Sequence, residues 1–140
     1  MSADPDVLVE DALRALGVRF ERIVCDPDLA DTAAFCAAYG VAPEDSANTI
    51  LVIGKTAPPK HAACVVLATT RLDVNRAVRQ RLGVKKASFA GPETARDLTG
   101  MAIGGVTAFG LPADLPVWID AAVMARESIV LGGGSRSWKI

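Results

Sequence analysis

Apolar residues recur along this chain in short runs whose period changes from one segment to the next. Val9, Leu13 and Leu16 fall at helical spacing, and Gly17 is placed to end that helix. From Val18 to Val24 the pattern alternates, with Val18, Phe20 and Ile23 on one side and charged residues between, which predicts a strand. Asp26-Pro27-Asp28 predicts a turn. Asp31 or Thr32 can cap a second helix through Ala33–Tyr39, which Gly40 stops. Two apolar runs, Asn48–Gly54 and Ala62–Thr69, predict buried strands joined across Lys55–Lys60 and its two prolines. Asp73 can cap a third helix over Val74–Leu82, with Val74, Ala77, Val78 and Leu82 on one face. Val84–Phe89 reads as extended. Pro92 opens a short helix that Gly100 closes. Towards the end, Val117–Asp120, Ile129–Leu131 and Ser137–Ile140 read as strands, with a turn or short helix after the first.

Helices and strands in this order do not alternate strictly, and several strands are joined by short links. The order predicts an α/β domain over 1–140 with a mixed, mostly antiparallel sheet and helices packed around it. A chain of 140 residues, 51% of them hydrophobic, can bury a core of ordinary size; with few aromatics, that core must come from Val, Leu, Ile and Ala. A net charge of −1 argues against gripping nucleic acid with a broad basic surface, but not against holding only the end of an RNA. The polar, acidic start does not resemble a signal peptide, and the apolar runs are too short to span a bilayer. The expectation is a soluble, cytoplasmic protein.

The chemistry-bearing residues are sparse. Cys25, Cys36 and Cys64 match no zinc or redox spacing, and His61 is the only histidine. A metal or another cofactor is therefore not expected. The densest local signal is Gly104-Gly105-Val106-Thr107-Ala108-Phe109-Gly110-Leu111-Pro112. Glycines at this density allow close approach to the main chain, and several N–H groups can turn toward one carbonyl, oxyanion or phosphate. A tight connection between a helix and a strand accounts for the same composition equally well.

Taken in order, Thr32-Ala33, Asn48-Thr49-Ile50-Leu51-Val52, Leu98-Thr99-Gly100, Gly104–Leu111, Ile119-Asp120 and Gly133-Gly134-Ser135-Arg136 resemble the YbaK family of aminoacyl-tRNA editing domains, which is also found associated with prolyl-tRNA synthetases. The resemblance runs from about Leu13 to the C-terminus. It implies a barrel-like mixed sheet surrounded by helices. It also implies hydrolysis of the ester of a mischarged tRNA, such as alanyl- or cysteinyl-tRNA for proline. The implied partners are the aminoacyl-tRNA 3′ end and a tRNA synthetase. The Gly-Gly-x-Arg segment resembles the free-standing branch. Two positions depart from the pattern: Asn48 stands where many members carry a lysine, and Ala108 where the loop carries a proline. Asparagine keeps donors and an acceptor but loses the charge. A catalytically impaired binding module of the same fold is the alternative.

On this reading the catalytic candidates are Asn48 and the main chain of Gly104, Gly105, Val106, Thr107 and Ala108. The substrate-binding candidates are Phe109, Gly110, Asp120, Gly134, Ser135 and Arg136. Asn48 can hold the ribose hydroxyl beside the ester, or simply open a strand. Asp120 can order water or meet the substrate amine, or form a turn. Arg136 can hold a phosphate bidentately, or lie on the surface. Arg76, Arg79, Arg81, Lys85 and Lys86 offer a path for the acceptor stem, or a solvated face.

Overall fold

The computed structural model describes residues 4–101 and 105–140. Its centre is the antiparallel pair β2 (Ala47–Gly54) and β3 (Lys60–Leu67), in register from Ala47↔Leu67 to Gly54↔Lys60. β4 (Ala87–Phe89) adds to β2 antiparallel, and β5 (Val117–Ile119) adds to β3 in parallel, giving the order β4-β2-β3-β5. A second sheet pairs β1 (Ile23–Val24) with β6 (Trp138–Lys139), antiparallel. Single bridges at Ser46↔Val130 and Gly132↔Lys139 tie the two sheets through the chain at 130–132. The fold is mixed α/β and mostly antiparallel, as the sequence predicts. Among the described residues no ladder closes it into a barrel.

The near-continuous apolar runs of β2 and β3 are what strands covered on both faces require. On one face Val52, Ala62 and Cys64 pack against Val74, Val78 and Leu82. On the other, Leu51 and Ala63 meet Ala95 of α4 (Pro92–Thr99), while Ala47 and Val65 meet Val123 of α5 (Ala121–Met124). The segment read as one helix over Val74–Leu82 starts as a π-helical turn, Val74–Val78, and becomes α3 only at Arg79–Leu82. Asp73 caps it as expected, its carboxylate accepting from the Arg76 N–H at 3.0 Å.

Three other segments differ from the pattern for long-range reasons. Only Ile23–Val24 of the expected Val18–Val24 strand is paired, because β6 offers two residues; Phe20 turns instead into the cluster of Val9, Leu13 and Met101. The 129–131 segment makes a single bridge, from Val130 to Ser46, but no ladder. In α1 (Pro5–Ala15), Val9 and Leu13 are buried, but Leu16 lies past the end of the helix and is 66% exposed.

The glycines of 105 and 132–134 serve close main-chain packing. A Cβ on Gly132 would lie 2.5 Å from the Val106 carbonyl oxygen, and one on Gly105 would lie 2.5 Å from the Ser135 carbonyl. The Gly134 N–H donates to the Gly105 carbonyl at 2.7 Å. Two loops are thus pressed together main chain to main chain, as only glycine permits.

Two stability measurements check this picture. Leu13→Ala should cost about 2–5 kcal/mol of unfolding free energy, whereas Leu16→Ala should stay within about 0.5 kcal/mol; equal losses in urea denaturation would contradict the placement of α1. Gly132→Ala should cost roughly 1–3 kcal/mol, because a backbone carbonyl must shift to admit the methyl. An unchanged denaturation midpoint would mean that the two loops are not in contact.

Candidate functional site

The edge of β2 opposite β3 is covered at both ends and uncovered between. At one end the Ala47 N–H donates to the Val130 carbonyl at 2.9 Å. At the other, the Ala90 N–H donates to the Leu51 carbonyl at 2.9 Å. Among the described residues no strand pairs with this edge in the interval. A cavity of about 270 Å³ opens there, lined by Ser46–Leu51, by Phe89, Ala90 and Ala95, by Val106, by Leu131 and Gly132, and by Asp31, Thr32 and Lys139.

Polar groups meet in this cavity from three elements. Asn48 belongs to β2, and its side-chain carbonyl accepts a hydrogen bond from the hydroxyl of Thr32, the first residue of α2 (Thr32–Tyr39). That bond orients the amide and leaves its N–H groups as donors for a ligand. Thr49 Oγ1 is buried and finds no partner among the described residues. Lys139 of β6 is 5% exposed; its ammonium donates to the Ala30 carbonyl at 2.6 Å and lies 5.4 Å from the Phe35 ring. Burial holds its pKa below the ordinary lysine value; Cys25 and Asp31 favour the charged form, and Arg136 opposes it. Phe89, on the edge strand at the cavity, is 57% exposed.

The other predicted residues have varied surroundings. Val106 lines the same cavity as Asn48. Gly105 is pinned to Gly134, and Gly104 lies outside the described residues. Thr107 is fully buried, with no hydrogen-bond partner for its hydroxyl among the described residues. Ala108 packs beside Ala47 and Val65. Phe109 packs against the Val9–Leu13 cluster, and Gly110, at φ +73°, sits against the backbone of Leu8. The Ser135 hydroxyl donates to the Asp6 carboxylate at 3.0 Å. Arg136 reaches the Pro27 carbonyl at 2.8 Å and Asp31 at 3.2 Å, bracing the turn that carries Asp31 to the cavity.

Asp120 lies elsewhere. With Arg81, Trp118 and Cys64 it lines a second cavity of about 560 Å³ on the other side of β3. Arg81, from the basic stretch, stands 5.4 Å from the Trp118 ring, and Arg79 reaches the Lys85 carbonyl at 3.5 Å. His61 sits on β3 opposite Ile53. Burial pushes the Cys64 thiol up to about 11 and raises that of Cys25, so neither offers a thiolate nucleophile at neutral pH. Among the described residues no group of His, Cys, Asp or Glu is arranged to hold a metal ion, and no helix is long and apolar enough to cross a membrane.

Sequence reasoning passed over Asp31, Phe89 and Lys139. The available signal for Lys139 was its place between Trp138 and Ile140 in an apolar terminal strand, an unusual setting for a solvated lysine.

Known proteins share this architecture. The hypothetical protein APE2540 superposes with a TM-score of 0.82 at 24% identity, covering 94% of this chain and 85% of its own. A candidate trans-editing enzyme for prolyl-tRNA synthetase superposes at 0.80 and 21% identity, covering 100% and 88%. A scaffold protein from a study of computational epitope grafting does so at 0.78 and 18%, covering 99% and 88%. At these identities the likeness is one of fold. The model of the aminoacyl-tRNA editing domain matches residues 26–138, a span that includes β2 to β5 and the whole lining of the Asn48 cavity except Lys139. On that match, the chain belongs to the aminoacyl-tRNA editing domain family.

Proposed function

We propose that this protein is a deacylase that hydrolyses the ester of a tRNA mischarged with a small amino acid, working in trans in the cytoplasm. The observation that carries the reading is the convergence of Asn48, Val106 and Lys139 on one cavity of about 270 Å³ in an aminoacyl-tRNA editing domain. The resemblance of one structural relative to this chain, a candidate trans-editing enzyme for prolyl-tRNA synthetase, supports the same class of substrate and a synthetase as partner.

Ester hydrolysis needs a polarised carbonyl, a delivered water and a protonated leaving oxygen. Main-chain donors in a water-poor cavity can stabilise the developing oxyanion, each worth about 3 kcal/mol where preorganised. With the Cys25 and Cys64 thiols held protonated by burial, the chemistry falls to water positioned by the ribose hydroxyl that the substrate brings. Asn48, its amide oriented by Thr32, holds that hydroxyl. Lys139 supplies the cation of the cavity lining, and its ammonium attracts the terminal phosphodiester. Phe89 offers an exposed aromatic face to the terminal base.

A deacylation panel of aminoacyl-tRNAs tests the reading. Wild type should hydrolyse at least one small aminoacyl-tRNA faster than spontaneous loss, and added salt should slow it at limiting substrate as phosphate contacts are screened. Asn48→Ala should lower kcat/KM by about tenfold or more, the worth of one good hydrogen bond to a substrate hydroxyl. If no member of the panel is hydrolysed above background, the binding-module reading takes its place.

A further inference from the structure

The uncovered interval of β2 has a definite hydrogen-bonding character. Along a strand, main-chain N–H and C=O groups point alternately to one edge and the other. The Ala47 N–H and the Leu51 carbonyl both bond outward, to Val130 and Ala90. On the inner edge the Ser46 carbonyl accepts from Ala68, beside the β3 ladder. Thr49, midway between Ala47 and Leu51, therefore directs both its N–H and its C=O outward, into the cavity. Its hydroxyl is buried, with no partner among the described residues.

In an antiparallel pair, two facing residues exchange both N–H···O=C bonds. An aminoacyl ester carries the same two groups on one carbon, an α-ammonium and an acyl carbonyl. We infer that the main chain of Thr49 receives the aminoacyl group as a one-residue extension of the sheet: the Thr49 N–H donates to the acyl oxygen, and the α-ammonium donates to the Thr49 carbonyl. The inference rests on the deacylase reading and deepens it, since it selects α-aminoacyl esters over other acyl esters. It also fixes where the side chain goes. Facing residues of an antiparallel pair project to the same face, and the Thr49 face is the one on which Leu51 meets Ala95 and Val106. A small apolar side chain fits that surface.

The test uses 3′-deoxy-3′-(L-alanylamino)adenosine, an amide that the enzyme cannot hydrolyse as an ester, and its propionyl counterpart, which lacks the α-amine. In 15N–1H spectra of the whole protein, the alanyl compound should shift the Thr49 N–H and slow its hydrogen exchange by about tenfold or more. The propionyl compound should bind about tenfold more weakly, the worth of one charge-assisted hydrogen bond. Thr49→Val should keep the shift of the residue 49 N–H, because the contact is to main chain. If the alanyl compound binds, as seen by shifts at the Asn48 side-chain amide and Val106, while the residue 49 N–H neither shifts nor gains protection, the bridge is wrong and the site reading stands. If neither compound perturbs any residue of the cavity, the inference and the site reading fall together.

Discussion

The structure depends on the direct contact of two main-chain segments, Gly105–Val106 and Gly132–Ser135. Side chains normally hold packed elements apart. Here the Gly134 N–H bonds the Gly105 carbonyl, and any Cβ on Gly105 or Gly132 would collide with backbone. This contact brings Val106 to the Asn48 cavity and sets the course of the last strand, which delivers Lys139. The glycine density that suggests an anion cradle thus has a packing cause as well. The two are compatible, because main chain brought this close to a cavity is what presents donors to a ligand.

Around that contact the cavity owes its form to a mismatch of lengths. β2 has eight residues, β4 covers three of them, and Val130 touches only the start. The uncovered interval is too short to admit another strand and long enough for one residue's worth of hydrogen bonds. An exposed sheet edge invites unwanted pairing, and here neighbouring elements confine it. Phe89 and Ala90 stand at one end, Leu131 and Gly132 at the other, with α2 and Lys139 beside them.

The electrostatics of the site are local. Lys139 and Arg136 are both tied to the turn before α2, through Ala30, Pro27 and Asp31. Asp31 starts that helix without a side-chain cap bond because its carboxylate meets Arg136 instead. One cation, Lys139, and one carboxylate, Asp31, thereby stand together in the cavity lining, with Arg136 paired to Asp31 behind them.

The sequence by itself determined the central hairpin, the helix starts at Thr32, Val74 and Pro92, and the mixed antiparallel class. Each rests on local physics: apolar runs for strands buried on both faces, and aspartate, proline and glycine at helix ends. It also pointed to Asn48 and the 104–111 glycines, because residue order alone carried the likeness to editing domains. The tertiary structure decided what depends on contacts far apart in the chain. Phe20 joins the α1 core rather than a strand because β6 provides only two pairing residues. Lys139 is buried because it meets Ala30, 109 residues away. Asp120 and Asn48 face different cavities because β5 adds to the far side of β3 from β2. The outward direction of the Thr49 main chain is set by which edge β3 occupies. Local patterns record which residues favour a strand, whereas the neighbours of that strand decide which of its groups a ligand can reach.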